Sequence, residues 1–269
     1  MKPARIMAMA VLLAACLATG AWGQEAAAKQ HYARGVDLAA QGQFPQAQAA
    51  FQEAWKLDPT LEPVRQCLEA VEEVLAGKAK AEAARLLFQA LAHANAGQDD
   101  KALAALNQSL QVDPNYAQAY HDRGNVFRGM GDMDRACRDY HRSAELNPKL
   151  ASSLLNRGNC HLEKGEFDQA LADFNRALQI NPNYTMVLNS RAVAYEKKGD
   201  FDQALADYRR ALEINPRYGT AWFNLADALD KLGRHQEALE AYKKFLQHAQ
   251  PDQQRYVERA RQRIRALEK

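Results

Sequence analysis

The chain has little of what carries catalysis or metal chemistry. Its 269 residues include only 4 cysteines, none paired as CxxC, and CxxCH is absent, so neither a zinc ribbon nor attached haem is indicated. There is no HExxH, no nucleophile elbow and no phosphate-cradling glycine loop. Beyond the first twenty residues, no apolar run approaches the roughly 20 residues that a membrane-spanning helix needs. Net charge is also missing. The balance is 35 basic against 33 acidic residues, and the first 23 residues hold Lys2 and Arg5 but no acid, which leaves 33 against 33 in the remainder. Such a chain has no field to steer it onto nucleic acid or an anionic bilayer. Disorder is excluded as well, because 47% of residues are hydrophobic and they run evenly along the chain.

The first residues are a separate text. Lys2 and Arg5 precede an uncharged run from Ile6 to Thr19, and Ala21-Trp22-Gly23 before Gln24 has the small–any–small pattern of signal cleavage. Leu13-Ala14-Ala15-Cys16 also resembles a bacterial lipobox, which would make Cys16 a lipidated N-terminus. Against it, the apolar text continues past Cys16. Plain cleavage makes residues 1–23 a signal peptide, and on either reading the protein is expected to leave the cytoplasm. A membrane association is expected only if Cys16 is lipidated.

What the rest of the chain has is repetition. GEFDQALADFNRALQINPNY at residues 165–184 returns thirty-four residues later as GDFDQALADYRRALEINPRY. Asp-Pro and Asn-Pro pairs put Pro114, Pro148, Pro182 and Pro216 in phase, with Pro59 upstream. Frames counted back from each proline begin at Ala28, Ala83, Ala117, Ala151, Thr185 and Gly219. Position 8 is small in all six, position 20 is always alanine (Ala47, Ala102, Ala136, Ala170, Ala204, Ala238), and position 24 is large. Each frame holds two helical texts. A glycine such as Gly165 or Gly199 stops the first, and the proline ends the second. One hairpin cannot bury its apolar faces alone, whereas stacked neighbours can.

This pattern resembles the tetratricopeptide repeat (TPR) family over residues 28–252. The resemblance implies an all-α, right-handed solenoid of helix hairpins: one repeat at 28–61, five at 83–252, and a C-terminal capping helix at 253–269. Residues 62–82 break the period. Val64, Cys67, Leu68, Val71, Val74 and Leu75 recur there at helical spacing, so an inserted helix with a hinge near Gly77 is expected, or one long helix from Pro63 to Ala96. The Arg-rich face of the last helix is expected to be solvated, as a cap's outer face should be, rather than to bind nucleic acid.

Arg123, Arg157 and Arg191 stand at position 7, and Asp139, Asp173 and Asp207 at position 23; in the final repeat both change together, to Leu225 and Ala241. The joint swap predicts an ion pair between the two helices of a repeat, contributing about 0–1 kcal/mol if exposed. Cys160 and His161 are adjacent on one helix and diverge by about 100°, so they cannot form a nucleophile–base pair. His161 is expected at the core edge. No catalytic residue, cofactor or metal is expected.

The resemblance further implies a partner-binding concave face on the first helices, at positions 2, 5, 6, 9, 12 and 13. The family's carboxylate clamp does not fit. Its asparagines would be Asn125 and Asn156, but its cations would fall on His121, Met186 and Ser190. The residues expected to line a looser peptide groove are His121, Asn125, Asn156, Asn159, Asn189, Phe223, Asn224 and Asp227, with amides able to pair both N–H and C=O of an extended chain. The groove is patchy, because Asp122 and Ser190 interrupt position 6. Toward the N-terminus the same positions are apolar (Tyr32, Val36, Leu87, Leu91), as groove floor or as core. Cys137 and Cys160, at position 21 of one repeat and position 10 of the next, face each other in this family, as a disulfide or as two small residues in contact. The expected function is non-enzymatic protein binding in a bacterial envelope, to a peptide or protein partner.

Overall fold

A computed structural model describes residues 24–268. Among them every regular element is a helix: α1 (residues 24–40), α2 (Phe44–Leu57), α3 (Glu62–Leu75), α4 (Ala81–Asn95), α5 (Asp99–Val112), α6 (Ala117–Gly129), α7 (Met133–Leu146), α8 (Ala151–Glu163), α9 (Phe167–Ile180), α10 (Thr185–Lys198), α11 (Phe201–Ile214), α12 (Gly219–Lys231), α13 (His235–His248) and, after a 3-10 turn at Pro251–Gln253, α14 (Gln254–Leu267). The chain divides into two compact units, one ending at Asp139 and the other starting at Tyr140. In each, helices pair as hairpins (α4 with α5, α8 with α9, α10 with α11, α12 with α13), and α5 packs on α6, α9 on α10 and α11 on α12.

The breaks have local causes. Gly199 closes α10 at φ 85°, where a side chain would be strained, and its N–H reaches back to Glu196. At the far end of each hairpin, Asn181 leaves the helical region (φ −132°, ψ 93°) ahead of Pro182, and its Oδ1 accepts from the Asn183 N–H at 3.2 Å. Asp113, Asn147 and Asn215 make the same bond two residues on, at 3.1, 3.0 and 3.0 Å. An Asx side chain that mimics a turn thus joins a proline that cannot continue the helix.

The repeat pattern is a packing pattern. All six position-20 alanines are fully buried, and the position-24 rings and Leu106 are no more than 1% exposed. Phe174 lies directly over Gly158, where an added Cβ would meet the ring at 2.6 Å. A small residue at position 8 is therefore the counterpart of a large one at position 24.

Residues 62–82 hold a separate helix. α3 ends at Leu75, α4 begins at Ala81, and Gly77 (φ 68°) turns the chain between them, so the single helix from 63 to 96 does not form. α3 packs on α2 and buries Val64, Cys67, Ala70 and Val71 in the core of the first unit.

Candidate functional site

The position-7 and position-23 residues meet as the joint swap predicts. Arg157 donates from Nε to Asp173 Oδ2 at 2.8 Å and from a terminal nitrogen to Oδ1 at 2.5 Å; Arg123 grips Asp139, and Arg191 grips Asp207, through the same two-pronged geometry. The carboxylates are 6–7% exposed, so the value for an exposed pair does not apply: these forks are partly buried and hydrogen-bonded on both prongs. Bonding to the aspartate holds each guanidinium above its ordinary pKa. Arg123 also donates to Asn107 of α5 at 2.8 Å and Arg191 to Asn175 of α9 at 2.7 Å, so each ties its repeat to the preceding one. These residues build the scaffold and are not a site.

The face built by the first helices carries the expected amides in the second unit. Asn224 of α12 donates to Asn189 Oδ1 of α10 at 3.0 Å, an amide bridge between neighbouring repeats. It uses one N–H of Asn224 and the carbonyl of Asn189, while the remaining amide groups of both retain donor and acceptor capacity. Asn156 and Asn189 are each 8% exposed, Asn159 is half-buried, and Met186, also on α10, is 46% exposed.

Phe223 and Asp227 are placed differently from a groove lining. Phe223 is 5% exposed and takes edge contacts from Tyr242 (5.9 Å), Phe245 (5.2 Å) and Tyr256 of α14 (5.0 Å), with the Arg259 guanidinium 5.4 Å over its ring. Asp227 is bonded by Arg259 and, at 2.8 Å, by Lys231. Arg263 forks onto Asp230 at 2.7 and 2.9 Å and pulls that carboxyl below the usual range. The capping helix therefore sits on the binding-type positions of the last repeat. Arg259 and Arg263 make these ion pairs while keeping much of their side chains in solvent, and Arg255, Arg261 and Arg265 are exposed.

In the first unit, α3 plays a similar covering role. Tyr32, at position 5 of the first repeat, packs against the core cluster that holds Cys67 of α3. Burial pushes the Tyr32 hydroxyl and the Cys67 thiol up, and the nearby Asp122 charge adds to both shifts. Val36 and Leu87, each 2% exposed, are core. Leu91 instead lines a cavity of about 240 Å³ together with Asp122 and Asn125. His121 is buried at 3%, with Nδ1 3.0 Å from Asp122 Oδ1 and 3.3 Å from Asn125 Nδ2. A buried histidine so engaged cannot reach out as a clamp cation.

His161 lies at the core edge, with Nδ1 2.6 Å from Glu166 and its ring edge-on to His141 at 5.1 Å. Cys137 and Cys160 are buried in their own helices, and their pairing stands as a proposal; Cys67 is a buried free thiol. Cys16 and the leader lie outside the described residues. Among those described, no cluster of His, Cys, Asp or Glu could hold a metal, and no helix is long and apolar enough to cross a membrane.

Five family profiles match. Four described as tetratricopeptide repeat cover residues 28–53, 117–150, 151–184 and 189–254, and one described as TPR repeat covers 90–131. No curated protein matches. Among solved structures, PilW, titled a widely conserved type IV pilus biogenesis factor, is similar at 20% identity over 71% of this chain and 92% of its own, with a TM-score of 0.61. Pseudomonas aeruginosa PilF is similar at 19% identity over 69% and 88% (TM-score 0.58). A thermophilic TPR protein of Thermus thermophilus is similar at 21% identity over 68% and 98% (TM-score 0.56). With the thirty-four-residue frames, the hairpin pairing and the position-8, 20 and 24 packing in place, the chain belongs to the tetratricopeptide repeat family.

Proposed function

We propose that this protein is a non-enzymatic interaction scaffold of the bacterial envelope, holding an extended or helical segment of a partner protein on the face of its first helices. The observation that carries the reading is the Asn224–Asn189 bridge at 3.0 Å, with Asn156 and Asn159 along the same series of helices. Amides offer N–H and C=O together, which matches the main chain of a peptide irrespective of its side chains. Export rests on the leader text of residues 1–23 and is in keeping with the pilus-biogenesis title of PilW.

Affinity capture from envelope extract tests the reading. A chain carrying Asn189→Ala and Asn224→Ala should lose its partner while keeping its helical content; unchanged recovery would remove this face from the account. A second reading, an adaptor anchored through Cys16, is favoured by the lipobox-like Leu13-Ala14-Ala15-Cys16. Mass spectrometry of the mature protein separates the two: a chain starting at Gln24 excludes the anchor, and a diacylated Cys16 establishes it.

A further inference from the structure

The cavity of the first unit has a sequence cause. Position 17 is Phe44, Met133, Phe167, Phe201 or His235 in five repeats, and Asp99 in the second. Position 24 is aromatic in five repeats and Leu106 in the second. Position 13 of the following first helix is Gly129, where the other repeats carry side chains. Leu106, Asp99 and Gly129 all line the opening of about 240 Å³ between α4, α5 and α6. The second repeat thus lacks the aromatic ring that position 24 carries in the other five. Asp99 opens α5, where the helix dipole welcomes a carboxylate, which accounts for the charge but not for the missing ring.

The lining decides what fits. Leu91, Leu106 and Val126 make an apolar wall, while Asp99, Asp122 and Asn125 supply the polar groups, two carboxylates among them. Asp122 takes the His121 and Gln118 contacts on Oδ1 alone, and Asp99 has no ion pair among the described residues. Sites for whole small molecules or cofactors span roughly 300–1,000 Å³. This one is smaller and suits a single long side chain. An apolar stem with a cationic end complements it, and arginine, with a planar, weakly hydrated fork, suits two carboxylates better than lysine does. The chain already shows such a pairing elsewhere: Arg259 of α14 binds Asp227 with its guanidinium over Phe223.

The geometry points to this cavity as a specificity pocket for an arginine side chain of the bound partner. The inference rests on the partner-binding reading above and adds a sequence requirement to it. Amide-resolved NMR of the intact chain, titrated with Nα-acetyl-arginine N-methylamide or its neutral citrulline analogue, tests it. The arginine probe should give saturable shifts at Leu91, Asn125 and Val126, with the citrulline probe at least about tenfold weaker. Asp99→Asn should cut the arginine response about tenfold without altering the fold. Asp99→Phe, which restores the residue of three other repeats, should abolish it by filling the space. Equal response to the two probes, or binding indifferent to Asp99→Phe, overturns the pocket. A partner captured through Asn189 and Asn224 but unaffected by Asp99→Phe overturns the pocket and leaves the amide face standing. Binding of the probe here, without any dependence of partner capture on those asparagines, keeps the pocket and removes the amide face.

Discussion

Consider removing one arm of the Arg191–Asp207 fork. Arg191→Leu leaves the Asp207 carboxylate, 7% exposed, with neither of its 2.7 Å bonds. Breaking a fully buried pair costs about 3–5 kcal/mol. The arginine side chain here is 22% exposed, so water replaces part of the loss and about 2–3 kcal/mol is expected. Asp207→Ala should cost less, about 1–2 kcal/mol, because the freed guanidinium can turn to solvent and still reach Asn175. The double variant Arg191→Leu/Asp207→Ala copies Leu225 and Ala241 of the last repeat, which are buried at 5% and 3%. It should sit within about 1 kcal/mol of the parent, since a packed apolar pair replaces a buried ion pair at little cost. The coupling energy from the cycle is then about 2–5 kcal/mol. Urea unfolding gives the global values, and hydrogen exchange of α10 and α11 localises them, which matters in a repeat chain that need not unfold in one step. A coupling below about 0.5 kcal/mol, with the double variant as unstable as the sum of the singles, would refute the fork as an energetic pair.

Gly158→Leu should destabilise by about 1–3 kcal/mol despite the better helix propensity of leucine, because Phe174 already fills the space an added Cβ would enter at 2.6 Å; thermal melting reads it. The Asp230–Arg263 contact lowers the Asp230 pKa, so its stabilisation is complete above the unfolded-state value near 3.9 and fades as pH falls through the lower folded value. Exchange protection of α14 should drop across that acid range, and Asp230→Asn should remove this component of the slope. Peptide mapping without reductant should find Cys137 linked to Cys160, while Cys67, a buried thiol pushed up by burial, alkylates only on unfolding.

The hairpins, their breaks and the fork were legible because each depends on residues a few positions apart and recurs in phase. Asx-Pro, the position-20 alanines and the Arg–Asp swap each repeat often enough to separate rule from accident. Phe223 and Asp227 were harder. Whether they face a partner or the chain's own α14 depends on where a C-terminal helix docks, and docking is a long-range contact without a local signature. α3 raised the same difficulty at the N-terminal end, where Cys67 shares a core with Tyr32. The cavity had a signal that went unread: Asp99 and Leu106 are outliers at two positions that are otherwise almost uniformly large. Departures from a repeat carry more information about its use than agreements do, because agreement is what stacking alone requires.

The most direct test of the recognition face is site-specific photocrosslinking in cells. A benzophenone side chain at Met186, 46% exposed on a first helix, should yield a covalent partner adduct, and one at Arg209, exposed on the second helix of the same repeat, should not. Adducts from Arg209 but none from Met186 would contradict the account, because recognition would then lie on the face it assigns to the scaffold.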